Sequence, residues 1–158
     1  MITLVYDCIR DPYDWANILQ VLFAVDGIEI YVTGNSLRHD HQKVVRRMCA
    51  WSKGVKNNGV PEVPIKYIFS FSECIEMLKN QGIHSIGTAL DSGISYYDLD
   101  LRIGKYAIVF GNEAGGLSAE KVSLLDDIVT FPMAGDIDFM TLSVITPLVV
   151  GDIVRQKL

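Results

Sequence analysis

The segment from Ala107 to Gly135, AIVFGNEAGGLSAEKVSLLDDIVTFPMAG, constrains the fold more than any other part of the chain. An apolar run from Tyr106 to Phe110 breaks abruptly into Gly111-Asn112-Glu113-Ala114-Gly115-Gly116, and Ser118 then opens a short helical segment. A second apolar run, Ile128 to Phe131, is stopped in the same way by Pro132-Met133-Ala134-Gly135. A strand that ends in a glycine-rich turn and leads into a helix leaves backbone N–H groups and side-chain-free surface at the strand's carboxyl end. In open α/β sheets, small ligands bind there. Two such turns in succession predict a pocket.

The remaining chain alternates between the two periodicities. Ile2 to Tyr6 reads as a strand. Asp11 and Pro12 then start a helix, with Asp11 as cap, Pro12 at the first helical position and Asp14 in the first turn. Ile18, Leu19, Leu22, Phe23 and Val25 form its inner face, and Gly27 ends it. Strands follow at Ile28 to Val32, Ile65 to Phe69 and Ile83 to Leu90, the last ended by Asp91-Ser92-Gly93. Helices are predicted from Gln42 to Lys53, with Val44, Val45, Met48 and Trp51 inward, and from Glu73 to Asn80, capped by Ser72 and stopped by Gly82. A closing helix runs from Phe139 to Gln156. Strands alternating with helices indicate one α/β domain over residues 1–158, a parallel sheet flanked by helices.

Composition agrees: 49% hydrophobic and 21% charged residues with mean hydropathy +0.25 describe an ordered domain. No apolar run approaches the roughly 18 residues of a membrane span. The opening MITLVYD reads as a strand and not as a signal peptide. Cys8, Cys49 and Cys74 are odd in number and widely spaced, which fits packing residues in a reduced cytoplasm.

Net charge is −5, yet the segment from Arg38 to Lys56 alone carries +5, leaving −10 elsewhere. Arg38, Lys43, Arg46 and Arg47, with Lys53 and Lys56, are either an electrostatic footprint for phosphate or a solvated helix face. His39-Asp40-His41 is an incomplete ligand set in a polar loop, so no metal is expected. Trp15 and Trp51 sit at helical spacing with apolar residues and read as core; Tyr96 and Tyr97 could stack bases.

The chain resembles the SpoU/TrmH-type members of the SPOUT class, RNA 2′-O-ribose methyltransferases with a C-terminal trefoil knot. Their second motif is matched by Phe110-Gly111-Asn112-Glu113-Ala114-Gly115-Gly116-Leu117-Ser118, and the opening of their third by Phe131-Pro132-Met133-Ala134-Gly135. Thr88 to Gly93 looks like the strand end and turn before the second motif, and Asp11-Pro12 like the start of the first. The resemblance implies an α/β knot fold. It implies an S-adenosylmethionine site near Ala89, Gly111, Asn112, Phe131, Met133 and Met140, a tRNA or rRNA substrate, and a homodimer through the C-terminal helix.

The family's catalytic positions are changed. The first motif usually has an Asn where Asp14 stands and, six residues later, an Arg where Gln20 stands. Arginine offers a fixed cationic fork, whereas glutamine is neutral and takes no proton. The third motif's Ser-Leu-Asn-Val-Ser is here Phe139-Met140-Thr141-Leu142-Ser143. Either another residue supplies the missing function, or the chain is a catalytically silent RNA-binding or assembly protein that keeps the pocket. Glu113 and Asp14 are the carboxylates open to a catalytic role, each with a structural alternative: a turn-stabilising group for Glu113, a cap on the first helix for Asp14. Arg10, Arg38 and Arg46 are candidates for phosphate contact.

Overall fold

A computed structural model describes residues 2–48, 64–90, 92–137 and 139–157. Six strands, β1 (Ile2–Asp7), β2 (Ile28–Thr33), β3 (Ile65–Ile68), β4 (His84–Thr88), β5 (Tyr106–Phe110) and β6 (Asp127–Val129), form one sheet in the order β3-β2-β1-β5-β4-β6. Every pairing is parallel, with Ile2 opposite both Ile28 and Tyr106. All six residues of β1 are buried, which is why the central strands read as unbroken apolar runs.

Alternation along β1 assigns its two faces. Ile2, Leu4 and Tyr6 pack with Trp15, Ile18 and Leu19 of α1 (Pro12–Leu22), Val44 and Met48 of α2 (Gln42–Met48), and Val149 and Ile153 of α5 (Leu142–Lys157). Val5, Tyr31, Ala107 and Val109 meet Phe71, Cys74, Ile75 and Leu78 of α3 (Phe71–Asn80) on the other face. Each fully buried aliphatic side chain contributes about 1.5–3 kcal/mol by leaving water.

Local chemistry set most boundaries. Asp11 caps α1, accepting from Tyr13 N at 2.7 Å, and Pro12 starts it. Ser118 caps α4 (Ala119–Val122), and Gly82, at φ +70°, turns the chain after α3. Three expectations are corrected. Ser70, not Ser72, caps α3: its hydroxyl accepts from Glu73 N, while Ser72 lies inside the helix and bonds to Ser70 Oγ. The closing helix begins at Leu142 rather than Phe139, because residues 139 and 140 form the wall of a cavity. Strand β6 stops at Val129, since Phe131 turns onto Tyr96 and lies stacked at 4.4 Å. Cys49, Asp91, Lys56 and the Trp51 and Lys53 portion of the predicted second helix lie outside the described residues.

The sheet order brings the carboxyl ends of β4, β5 and β6 together, and backbone bonds lace the loops that leave them. Ala89 N donates to Val129 O, Thr130 N to Ile94 O, and Tyr96 N to Thr130 O. The segment after β6 is thus fixed beneath the loop after β4, and α5 returns to pack on α1. No described helix is long and apolar enough to cross a membrane.

Candidate cofactor and RNA site

The turn after β5 is closed by its own hydrogen bonds. Asn112 N donates to Gly116 O, Gly116 N donates to Asn112 O, and the Asn112 side-chain oxygen accepts from Ala114 N and Gly115 N. A Cβ at Gly111 would lie 2.1 Å from the Gly116 carbonyl carbon, so the turn closes only around glycine. Gly116 takes φ +64°, the left-handed region that glycine enters without strain.

This turn, the loop after β4, the segment after β6 and the start of α5 enclose a cavity of about 520 Å³. All six residues assigned from the sequence to a cofactor site, Ala89, Gly111, Asn112, Phe131, Met133 and Met140, line it together. Phe110, Leu142 and Ile145 supply buried apolar surface, and Thr88, Leu90, Leu117 and Phe139 complete the wall. Those last four lie within the motif-like segments of the sequence but are not singled out there as site residues, since an apolar or small side chain reads equally well as packing. The lining contains one carboxylate, Glu113, and no lysine or arginine among the described residues. The cavity therefore offers apolar walls and backbone polar groups, suited to a flat heterocycle with a neutral or cationic tail rather than to phosphate.

The two candidate carboxylates are both committed. Glu113 Oε1 accepts from Arg10 N at 3.0 Å and from Asp11 N at 3.2 Å, tying the cavity turn to the loop that opens α1. Asp14 corrects the expectation of a cap on its own helix, because Asp11 holds that position. Its Oδ1 instead accepts from Ser143 N at 3.3 Å, at the start of α5. Asp14 is buried, and desolvation raises its carboxyl above the ordinary value despite the bonds from Ser143. Beside it, Thr141 Oγ1 and Ser143 Oγ lie 3.2 Å apart. A second tether runs from Lys121 of α4 to the fully buried Asp7 at the end of β1, at 2.5 Å, with Thr33 Oγ1 donating to the same carboxylate. Gln20 is exposed on α1 and does not line the cavity.

The basic residues lie apart from the cavity wall. Lys43, Arg46 and Arg47 are exposed on α2. The Arg47 guanidinium sits 3.6 Å from the centre of the Tyr13 ring and contacts its hydroxyl. Arg38 is held by both oxygens of Asp40 at 3.0 Å and lies over Tyr67. His39 stacks on Tyr67 and bonds its hydroxyl, a role in packing the loop. Trp15 is core, its Nε1 donating to Leu37 O. Tyr96 is buried, whereas Tyr97 is exposed and packs edge-on to Phe131. Burial pushes the Cys74 thiol up to about 12, consistent with a packing role.

A parallel α/β domain with a glycine-built cavity at the carboxyl ends of β4–β6 defines a small-ligand-binding class. Residues 1–150 match the model of the SpoU rRNA Methylase family, and the chain belongs to that family. It is 27% identical over 157 residues to a 23S rRNA (guanosine-2′-O-)-methyltransferase RlmB from Xanthomonas campestris pv. campestris. That match covers 99% of this chain and 59% of the relative, so the chain spans less than two thirds of that protein. An AdoMet-bound rRNA methyltransferase from Sinorhizobium meliloti superposes with TM-score 0.82 at 21% identity, over 99% of this chain and 57% of the other. A structure described as giving insights into the 2-OH methylation of C/U34 on tRNA superposes with TM-score 0.79 at 22% identity, over 99% of this chain and 95% of the other.

Proposed function

We propose that the chain binds S-adenosylmethionine in the cavity at the carboxyl ends of β4, β5 and β6 and methylates a ribose 2′-hydroxyl of rRNA or tRNA. The observation that carries this is the convergence of Ala89, Gly111, Asn112, Phe131, Met133 and Met140 on one cavity without a cationic side chain. A lining of that kind accepts a positively charged sulfonium and an adenine ring, and would repel neither. The cofactor supplies an already activated methyl group, so the protein's task is alignment and proton removal. The Gly111–Gly116 turn, closed by its own bonds, presents backbone groups at fixed positions. Glu113 is the titratable side chain on the cavity wall, and we assign it the hydroxyl's proton in place of the absent arginine at Gln20. Its Oε1 is engaged by two N–H groups, which hold the carboxylate in place.

On the same reading, the segment after β6 threads the loop after β4 to form a knot, and a second copy covers Val144, Leu148 and Val154, the exposed apolar residues of α5. The reading places the protein with its RNA in the cytoplasm. A second reading, a silent RNA-binding relative, is favoured by Phe139, which puts an exposed aromatic ring on the cavity wall where the family carries a serine.

Calorimetric titration with S-adenosylmethionine, followed by methyl transfer to rRNA and tRNA read as alkali-resistant phosphodiester linkages, tests both. Binding with 2′-O-methyl product supports the enzyme. Binding without product favours the second reading, and absence of binding overturns both.

A further inference from the structure

We infer that Phe69 and Arg10, at the carboxyl edge of β1–β3, form a landing site for an unpaired RNA nucleotide beside the cavity, the base stacking on Phe69 and the phosphodiester meeting Arg10. The inference rests on the proposed RNA substrate. Phe69 follows β3 and is 81% exposed, among the most exposed large apolar side chains described. A solitary surface aromatic needs no explanation by itself. This one stands on backbone that is bonded to a turn which also holds a cationic side chain. Its carbonyl accepts from Gly34 N at 2.9 Å, and Gly34 sits in a turn so tight that a Cβ there would lie 2.4 Å from Cys8 Sγ.

Arg10 is anchored to the same turn. Its Nε donates to Asn35 O at 3.3 Å, and its backbone N–H is held by Glu113, which lines the cavity. Three hydrogen bonds, joined through Arg10 itself and the Gly34–Asn35 peptide, thus connect Glu113 on the cavity wall to Phe69. The two carboxylates flanking Arg10 along that path, Asp11 and Glu113, are both turned onto backbone N–H groups rather than onto its guanidinium. An aromatic face plus a cation is the chemistry that holds single-stranded RNA without reading its sequence. Among the described residues, the aromatic ring beside the α2 cations, Tyr13, already carries the Arg47 guanidinium over one face.

The test is fluorescence anisotropy of the full chain with a short labelled oligouridylate and with a duplex of the same length, beside calorimetry with S-adenosylmethionine. Phe69→Ala is expected to weaken single-strand binding about 10-fold, as loss of one stacked base does, with Phe69→Trp restoring it. Arg10→Ala is expected to lower the salt slope for the single strand by about 0.7, one phosphate contact. Phe69 is exposed, and the Glu113 bonds near Arg10 use backbone, so both variants keep the fold and S-adenosylmethionine affinity. Equal single-strand affinity in Phe69→Ala and wild type overturns the inference, as does wild-type protein that ignores the oligomer. Failure of S-adenosylmethionine binding alone overturns the methyltransferase reading and leaves the landing site standing.

Discussion

The cavity loops of the C-terminal half and the first-motif helix of the N-terminal half have kept different things. Around the cavity, the lining comes largely from backbone and from residues too small or too apolar to do more than fit: Gly111, Gly115, Ala89, Met133. On α1, Asp11 caps and Pro12 starts the helix, while the position where the resemblance implies a cationic fork holds Gln20, exposed and neutral. Backbone-made recognition depends on a whole turn closing, so one altered residue destroys it. Side-chain-made chemistry is carried by a single residue, and a neighbour can take it over. The structure shows both halves joined by carboxylates: Glu113 reaches from the cavity turn to α1's first loop, and Asp14 reaches from α1 to the start of α5.

Five variants break or sharpen that contrast. Gly111→Ala is expected to do most harm. Its Cβ would sit 2.1 Å from Gly116 backbone, so the turn must open, costing about 3 kcal/mol in denaturant unfolding and abolishing cofactor binding by calorimetry. Next is the double charge reversal Arg46→Glu with Arg47→Glu. RNA affinity should fall roughly 10-fold or more with a flatter salt dependence, read by filter binding; unchanged affinity would remove α2 from the RNA surface.

Asp14 separates structure from charge. Asp14→Ala removes the acceptor for Ser143 N and should cost about 1 kcal/mol. Asp14→Asn keeps an oxygen acceptor and deletes the charge. Because burial raises this carboxyl in the folded state, the ionised form is penalised there. The Asn variant should therefore be more stable than wild type above the raised value, the gap closing as pH falls below the ordinary carboxylate value. Thermal melts across pH check this, and a gap of opposite sign would mean that the charge itself steadies α5. The smallest effect is expected from Gln20→Arg. At an exposed helix position stability should move by no more than about 0.5 kcal/mol, while methyl transfer to RNA rises a few-fold if the cationic fork is what this half lacks.

What could be read in the sequence was what is local. The β1, β2 and β5 runs, the Asp11-Pro12 helix start, the Ser118 cap and the glycine turn follow from neighbouring residues. The turn at the cavity was also legible, because a turn that must close around Gly111 leaves a sequence signature, whereas the meeting of Ala89, Phe131, Met133 and Met140 with it was expected only from the family resemblance. Ser70 was missed as the cap of α3 since Phe71 and Ser72 offer a competing apolar-then-serine pattern, which only Phe71's burial resolves. The roles of Glu113 and Asp14 were illegible for a different reason. Their partners lie 103 and 129 residues away along the chain, and nothing in a one-dimensional pattern couples such positions. Phe69 reads in the sequence as the end of a strand, and only the tertiary structure leaves its ring uncovered.

The most direct trial of the central claim is a crystal structure of the chain soaked with S-adenosylmethionine. The account predicts adenosyl density between the Gly111–Gly116 turn, Ala89, Phe131, Met133 and Met140, with the methyl group facing the Glu113 side. Density elsewhere, or a cavity that stays empty at saturating cofactor, would contradict it.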